Sequence, residues 1–116
     1  MEKKPSFAKK KNINLNLIRK VVRESIGKIN PQKVILFGSF AYGQPNANSD
    51  VDLLFVKETR LKGVKRYCSI SENVERIFPM DIIVKTPDEV GVRLKMGDPF
   101  YKEIFDKGKI LYEASK

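Results

Sequence analysis

The sequence predicts an α+β domain of about four strands and about four helices. Three observations predict it. The short runs Val34-Ile35-Leu36-Phe37, Leu53-Leu54-Phe55-Val56 and Ile82-Ile83-Val84 have the length and the β-branched or aromatic content of buried strands. Elsewhere apolar residues recur at helical spacing, as in Leu15, Ile18, Val22, Ile26 and Ile29. Proline, glycine and asparagine separate these segments and supply turns between them.

In chain order, Asn14 to Ile29 is an amphipathic helix stopped by Asn30-Pro31. Lys33 to Phe37 is the first strand. Gln44-Pro45-Asn46-Ala47-Asn48 is a loop, and Asp50 to Lys57 is the second strand. Arg60 to Ile77 reads as mainly helical, with Val64, Tyr67, Ile70, Val74 and Ile77 on one face. Met80 to Lys85 is the third strand, started by Pro79. Thr86-Pro87-Asp88-Glu89 has the form of a capped helix start, with Thr86 as N-cap, Pro87 first and Glu89 three after the cap. That helix is expected to stop near Gly97. Asp98-Pro99 starts another, with Phe100, Ile104 and Phe105 inward, ending at Gly108. Lys109 to Tyr112 is a final short strand. Phe37, Phe55, Phe78 and Phe105 are expected in the core, and Tyr101 and Tyr112 are read as structural.

The chain has 116 residues, enough for one domain with a modest core. Residues 1–11 are a basic head, carrying Lys3, Lys4, Lys9, Lys10 and Lys11 and expected to be disordered. Residues 12–116 form the single domain. No apolar run approaches the ~20 residues that span a bilayer, and the head lacks the apolar centre of a signal peptide, so a cytoplasmic protein is expected. The single Cys68 excludes an internal disulfide. The absence of histidine removes Ser-His and Cys-His nucleophilic pairs and histidine-based zinc sites. The net charge of +9 is read as attraction for a triphosphate or an acidic partner. Specific nucleic-acid binding is not expected, because no aromatic residues alternate with the basic ones along the chain.

The chemistry concentrates in Gly38-Ser39-Phe40-Ala41-Tyr42-Gly43, followed by Ser49-Asp50-Val51-Asp52. Successive side chains on a strand point to opposite faces, so Asp50 and Asp52 share one face. Two carboxylates side by side repel, which calls for a cation between them. Hard oxygen donors suit Mg²⁺ or Mn²⁺, and two such ions ~3.5–4 Å apart clamp both ends of a phosphoryl displacement. Gly38 removes bulk where backbone approaches a phosphate, and Ser39 offers a hydroxyl and an N–H. If Phe40 to Tyr42 open a helical turn, their N–H groups extend the anion site. Asp81 sits in an apolar strand, where an acid is costly unless paired or metal-bound. If its strand pairs beside that of Asp50 and Asp52, it is a third carboxylate for the cluster and a candidate proton acceptor. Singly, each feature is an ordinary turn, Asx turn or strand-end acid. The ordered set of turn, paired acids and later strand acid points to function.

Gly38-Ser39, Ala41, Gly43, Ser49-Asp50, Asp52-Leu53 and Asp81 resemble the signature of the polymerase-beta-like nucleotidyltransferases. The short chain is most similar to the minimal nucleotidyltransferase (MNT) branch, from about Leu15 to Glu113. Met80 to Pro87 and Gly108 to Glu113 also resemble that branch. The resemblance implies the nucleotidyltransferase fold, with the first three strands in the core of a mixed sheet. It implies triphosphate binding at Gly38 and Ser39, with Gly43 and Ser49 completing that region. Asp50 and Asp52 would hold Mg²⁺ or Mn²⁺, and Asp81, the third carboxylate, would bind metal with them or take the proton. The implied reaction transfers NMP, AMP from ATP, to a hydroxyl and releases pyrophosphate. The branch also implies an antitoxin that adenylylates a tyrosine on a small helical HEPN toxin. The turn carries Phe40 and Tyr42 where many relatives have an arginine, one cation fewer for the triphosphate. A nucleotidyltransferase for small hydroxylated molecules and a non-catalytic antitoxin that acts by binding are the alternatives; homo-oligomers are left open.

Overall fold

A computed structural model describes residues 13–46 and 48–115; the basic head lies outside the described residues. The order of elements is α1 (Leu15–Ile29), β1 (Lys33–Phe37), α2 (Ser39–Tyr42), β2 (Val51–Val56), α3 (Gly63–Ser71), β3 (Met80–Lys85), α4 (Pro87–Lys95), α5 (Pro99–Lys107) and β4 (Lys109–Glu113). The strands make one mixed sheet in the order β3-β2-β1-β4. β1 runs antiparallel to both β2 and β4, and β2 runs parallel to β3.

Alternation along the strands divides the core into two layers of packing. Val51, Leu53 and Phe55 of β2, with Val34 and Leu36 of β1 and Ile82 of β3, meet Ile18, Val21 and Val22 of α1 and Ile70 of α3. Leu54 and Val56, with Ile35 and Phe37, meet Val90 of α4 and Ile104 of α5. Both faces of the central strands are therefore covered, which is why β2 is apolar almost continuously after Asp52.

Local signals set most helix ends. The Asn14 side chain accepts from the Leu17 N–H at 2.9 Å and starts α1; Asn30, in the left-handed region at φ 53°, ends it. Thr86 and Glu89 form the expected capping box, and α4 stops at Lys95, just before Gly97. Glu89 also joins α4 to α3, because Arg66 donates to both its carboxylate oxygens at 2.7 and 3.2 Å. Arg66 further donates to the carbonyl of Leu61. Its guanidinium thus spans from α3 past edge strand β3 to α4.

The Arg66 hydrogen bonds are the leading cause that holds the Glu89 carboxyl down at about 2, helped by the Thr86 N–H. A depressed acid stabilises the fold above its unfolded value and loses that stabilisation as pH falls from about 4.5 through about 2. Glu89 is half-exposed, so screening limits the effect to about 1 kcal/mol. Glu89→Gln is expected to cost about that much at pH 7, with the difference from wild type vanishing near pH 2. Urea unfolding at the two pH values measures it.

The predicted helix from Arg60 to Ile77 is only Gly63–Ser71. The Asn73 side chain donates to the Ser69 carbonyl, and the Asn73 and Val74 N–H groups make tight i→i−3 bonds that turn the chain out of the helix. Val64 is 76% exposed and Tyr67 is exposed, while Val74 is buried from a turn rather than from a helix face. In α5, Tyr101 and Ile104 face inward and Phe100 is 47% exposed. Phe100 lies on the rim, edge-on to Phe37 and to Tyr101.

Candidate active site at the end of strands β1, β2 and β3

The three carboxylates come together through strand register. Asp52 is paired with Phe37 on β1 and with Asp81 on β3. In a parallel pair, side chains in register emerge on the same face, so Asp52 and Asp81 are lateral neighbours. Asp50 lies two residues before Asp52, just ahead of β2. The Val51 N–H donates to the Pro79 carbonyl at 3.0 Å and aligns the entries of β2 and β3.

Asp52 is the inner member of the three. It is half-buried, whereas Asp50 and Asp81 are exposed. The exposure of Asp81 corrects the expectation of an acid enclosed by apolar residues: it is near the start of an edge strand, and Met80 and Ile82 turn the other way into the core. Burial, then the charge of Asp81, then that of Asp50, push the Asp52 carboxyl up to about 6. Among the described residues, none of the ion pairs involves these acids. Nor do any three His, Cys, Asp or Glu side chains there already form a group able to hold a metal ion. By type, the donors are three oxygen acids with no protein cation among them, which fits a hard divalent ion.

The Gly38 turn closes over Asp52. Gly38 has φ 79° and ψ −159°, a region open essentially to glycine alone. A Cβ there would overlap the Asp52 carboxylate, with Cγ at 3.0 Å. The chain then makes the one-turn helix α2. The Ala41 and Tyr42 N–H groups donate to the Gly38 carbonyl at 2.9 and 3.0 Å, so they are not open to a phosphate. The open donors of this turn are the N–H groups of Ser39 and Phe40. The Gly43 N–H donates to the Ser39 carbonyl at 3.1 Å and closes the turn. Ser49 is occupied in the loop: its hydroxyl accepts from the Asn46 N–H at 2.8 Å, and its N–H donates to the Asn46 carbonyl. It shapes the approach to Asp50, and its hydroxyl, an acceptor here, keeps its own proton to donate.

Structure thus brings Gly38, Ser39, Asp50, Asp52 and Asp81 to one end of the sheet, with Gly43 and Ser49 as supports. Phe37 was absent from the sequence-derived site, yet it stands beside Asp52 in the register and supplies part of its apolar wall. Only the pairing of β1 with β2 reveals this.

The profile of the polymerase beta nucleotidyltransferase family matches residues 16–116. A comparison with curated proteins finds no match. Among solved structures, a candidate nucleotidyltransferase from Sulfolobus solfataricus is similar at 26% identity and TM-score 0.57, over 79% of this chain and 84% of that one. A mutant of the MntA–HpeT toxin–antitoxin pair is similar at 20% identity and TM-score 0.53, over 89% of this chain and 75% of that one. A toxin–antitoxin with AMP-PNP is similar at 22% identity and TM-score 0.50, over 89% and 76%. The last two are likenesses of fold. The match over residues 16–116 covers nearly the whole chain, and the protein belongs to the polymerase beta nucleotidyltransferase family.

Proposed function

We propose that the protein is a metal-dependent nucleotidyltransferase that moves AMP from ATP to a hydroxyl, a tyrosine of a HEPN-type toxin, and so acts as an antitoxin. One observation carries the chemistry. Asp52 is pressed against Gly38 and flanked by Asp81 and Asp50, with no protein cation to balance them. In this reading Asp50 and Asp52 hold Mg²⁺ or Mn²⁺, with Asp81 as the third carboxylate. When bound, the metal neutralises the triphosphate and polarises the α-phosphoryl group. The Ser39 hydroxyl and the open N–H groups of Ser39 and Phe40 orient phosphate oxygens. The acceptor oxygen forms a bond to the α-phosphorus, the bond from that phosphorus to the β-phosphate oxygen breaks, and pyrophosphate leaves. Asp81 is exposed toward solvent and takes the acceptor's proton.

The partner rests on likeness. Two structural neighbours are toxin–antitoxin proteins, one with AMP-PNP and one carrying glutamate in place of two aspartates two positions apart, the spacing of Asp50 and Asp52.

Incubation with each α-labelled nucleoside triphosphate and Mg²⁺ or Mn²⁺, with the product of the neighbouring gene or a panel of small hydroxylated molecules as acceptor, tests the reading. Label on a partner tyrosine from ATP, absent in Asp50→Asn/Asp52→Asn, is the expected result. Label only on small molecules would contradict the protein acceptor. No label from any nucleotide, with a tight complex still formed, would contradict transfer itself.

A further inference from the structure

The groove between α1 and β4 gathers residues that the sequence keeps apart. Arg19 and Arg23 stand one helical turn apart on α1, Leu111 and Tyr112 come from β4, and Ile26 and Gly27 complete the lining of a groove of about 400 Å³. That volume is within the range of small-ligand sites. Among the described residues neither arginine enters an ion pair, and the nearby Glu24 is held by Lys20 at 2.7 Å. No acid lines the groove. Tyr112 packs part of its ring on the core and remains partly exposed. Gly27 weakens a helix interior without a packing reason, since a Cβ there would meet nothing within 4 Å. Its missing side chain leaves the groove wall flat.

We propose that this groove binds single-stranded nucleic acid, with Arg19 and Arg23 on backbone phosphates and Tyr112 as a stacking surface for a base. Guanidinium forks match phosphate oxygens, and an aromatic face beside them is what unpaired bases use. An acidic protein segment is the competing occupant of the same arginines, and a base differs from it in stacking its flat face on the ring. The linear sequence has no such alternation of basic and aromatic residues; the fold creates it by laying β4 beside α1. The groove is separate from the carboxylates. Tyr112 pairs with Val34 and Asp52 with Phe37, which places them ~10 Å apart along β1. The net charge of +9 draws polyanions to the molecule, and the groove lies away from the acids that would repel them.

Fluorescence anisotropy of a labelled 12-nucleotide RNA with the full chain, over a range of KCl concentrations, tests this. Wild type is expected to bind with a log–log salt slope of about −1 to −2, for about two phosphate contacts. Arg19→Ala/Arg23→Ala is expected to weaken binding about tenfold or more and flatten the slope. Tyr112→Leu is expected to weaken it several-fold at unchanged slope. Circular dichroism checks that each variant is folded. Asp50→Asn/Asp52→Asn is expected to bind RNA as wild type does, which keeps this test independent of the transferase reading. Unchanged binding by the arginine variant overturns the proposal. So does competition by polyglutamate equal to that by RNA, which would mark an acidic-protein surface instead.

Discussion

Asp52→Asn is expected to abolish nucleotidyl transfer and, in metal-free buffer at neutral pH, to make the protein more stable. The loss follows from removing the innermost carboxylate of the cluster. A divalent ion supplies several kcal/mol of transition-state stabilisation, so transfer should fall by about 10³-fold or more. The gain follows from electrostatics in the fold. Burial and the neighbouring charges of Asp81 and Asp50 push Asp52 up to about 6, so its ionised form is unfavourable in the native state. An acid with a raised native value destabilises the fold as pH rises from about 4 through about 6. The penalty is at most about 3 kcal/mol, reduced by solvent at this half-exposed group to about 1 kcal/mol. Asparagine keeps the shape and removes the charge. Thermal melts in EDTA should therefore coincide near pH 4 and separate above pH 6, with the variant melting higher. A variant that melts lower at pH 7 would contradict the strained-carboxylate account.

Gly38→Ala is expected to damage both the fold and the site. The φ of 79° and ψ of −159° cost a residue with a Cβ about 1–3 kcal/mol in backbone strain alone. The added methyl also overlaps the Asp52 carboxylate. A total loss of about 3 kcal/mol is a large part of the stability of a domain this size. Activity should fall further than stability predicts, because Asp52 is displaced from its place beside Asp81. Combining Gly38→Ala with Asp52→Ala separates the two causes. The overlap with the carboxylate disappears and the backbone strain stays, so the two substitutions should cost less together than the sum of each alone. Additive costs, read by urea unfolding, would show that the glycine serves the turn only.

The sequence carried the local parts of this structure well. Thr86, Pro87 and Glu89 announce their cap through side-chain chemistry that acts within four residues, and the structure has it where that chemistry places it, whereas Asn14, read as the first helical residue, is the cap of α1. Strands β1 and β3 begin and end as read, because short β-branched runs bounded by Pro or Gly leave little choice. The errors came where a local pattern was decided by distant packing. Val64, Tyr67, Ile70, Val74 and Ile77 keep a helical period, but the chain leaves the helix after Ser71 and buries Val74 and Phe78 from turns. In α5 the choice of Tyr101 over Phe100 for the interior depends on where the helix meets the sheet.

The site divides in the same way. The turn, the glycine and the i, i+2 carboxylates are contiguous, and their chemistry was legible. That Asp81 comes into register with Asp52 depends on a parallel pairing across the whole of α3, which periodicity does not specify. The exposure of Asp81, the loop bonds of Ser49 and the wall made by Phe37 were likewise invisible before the strands were ordered. The groove of Arg19, Arg23 and Tyr112 is the extreme case, with about ninety residues of chain between its two sides.

The most direct measurement compares ATP labelled at the α-phosphate with ATP labelled at the γ-phosphate, in the presence of Mg²⁺ and the neighbouring gene's product. Label is expected on the partner from the α position only, with one pyrophosphate released per transfer and neither seen with Asp50→Asn/Asp52→Asn. Transfer of the γ-label, or α-label transfer that survives the loss of both carboxylates, would contradict the proposed reaction.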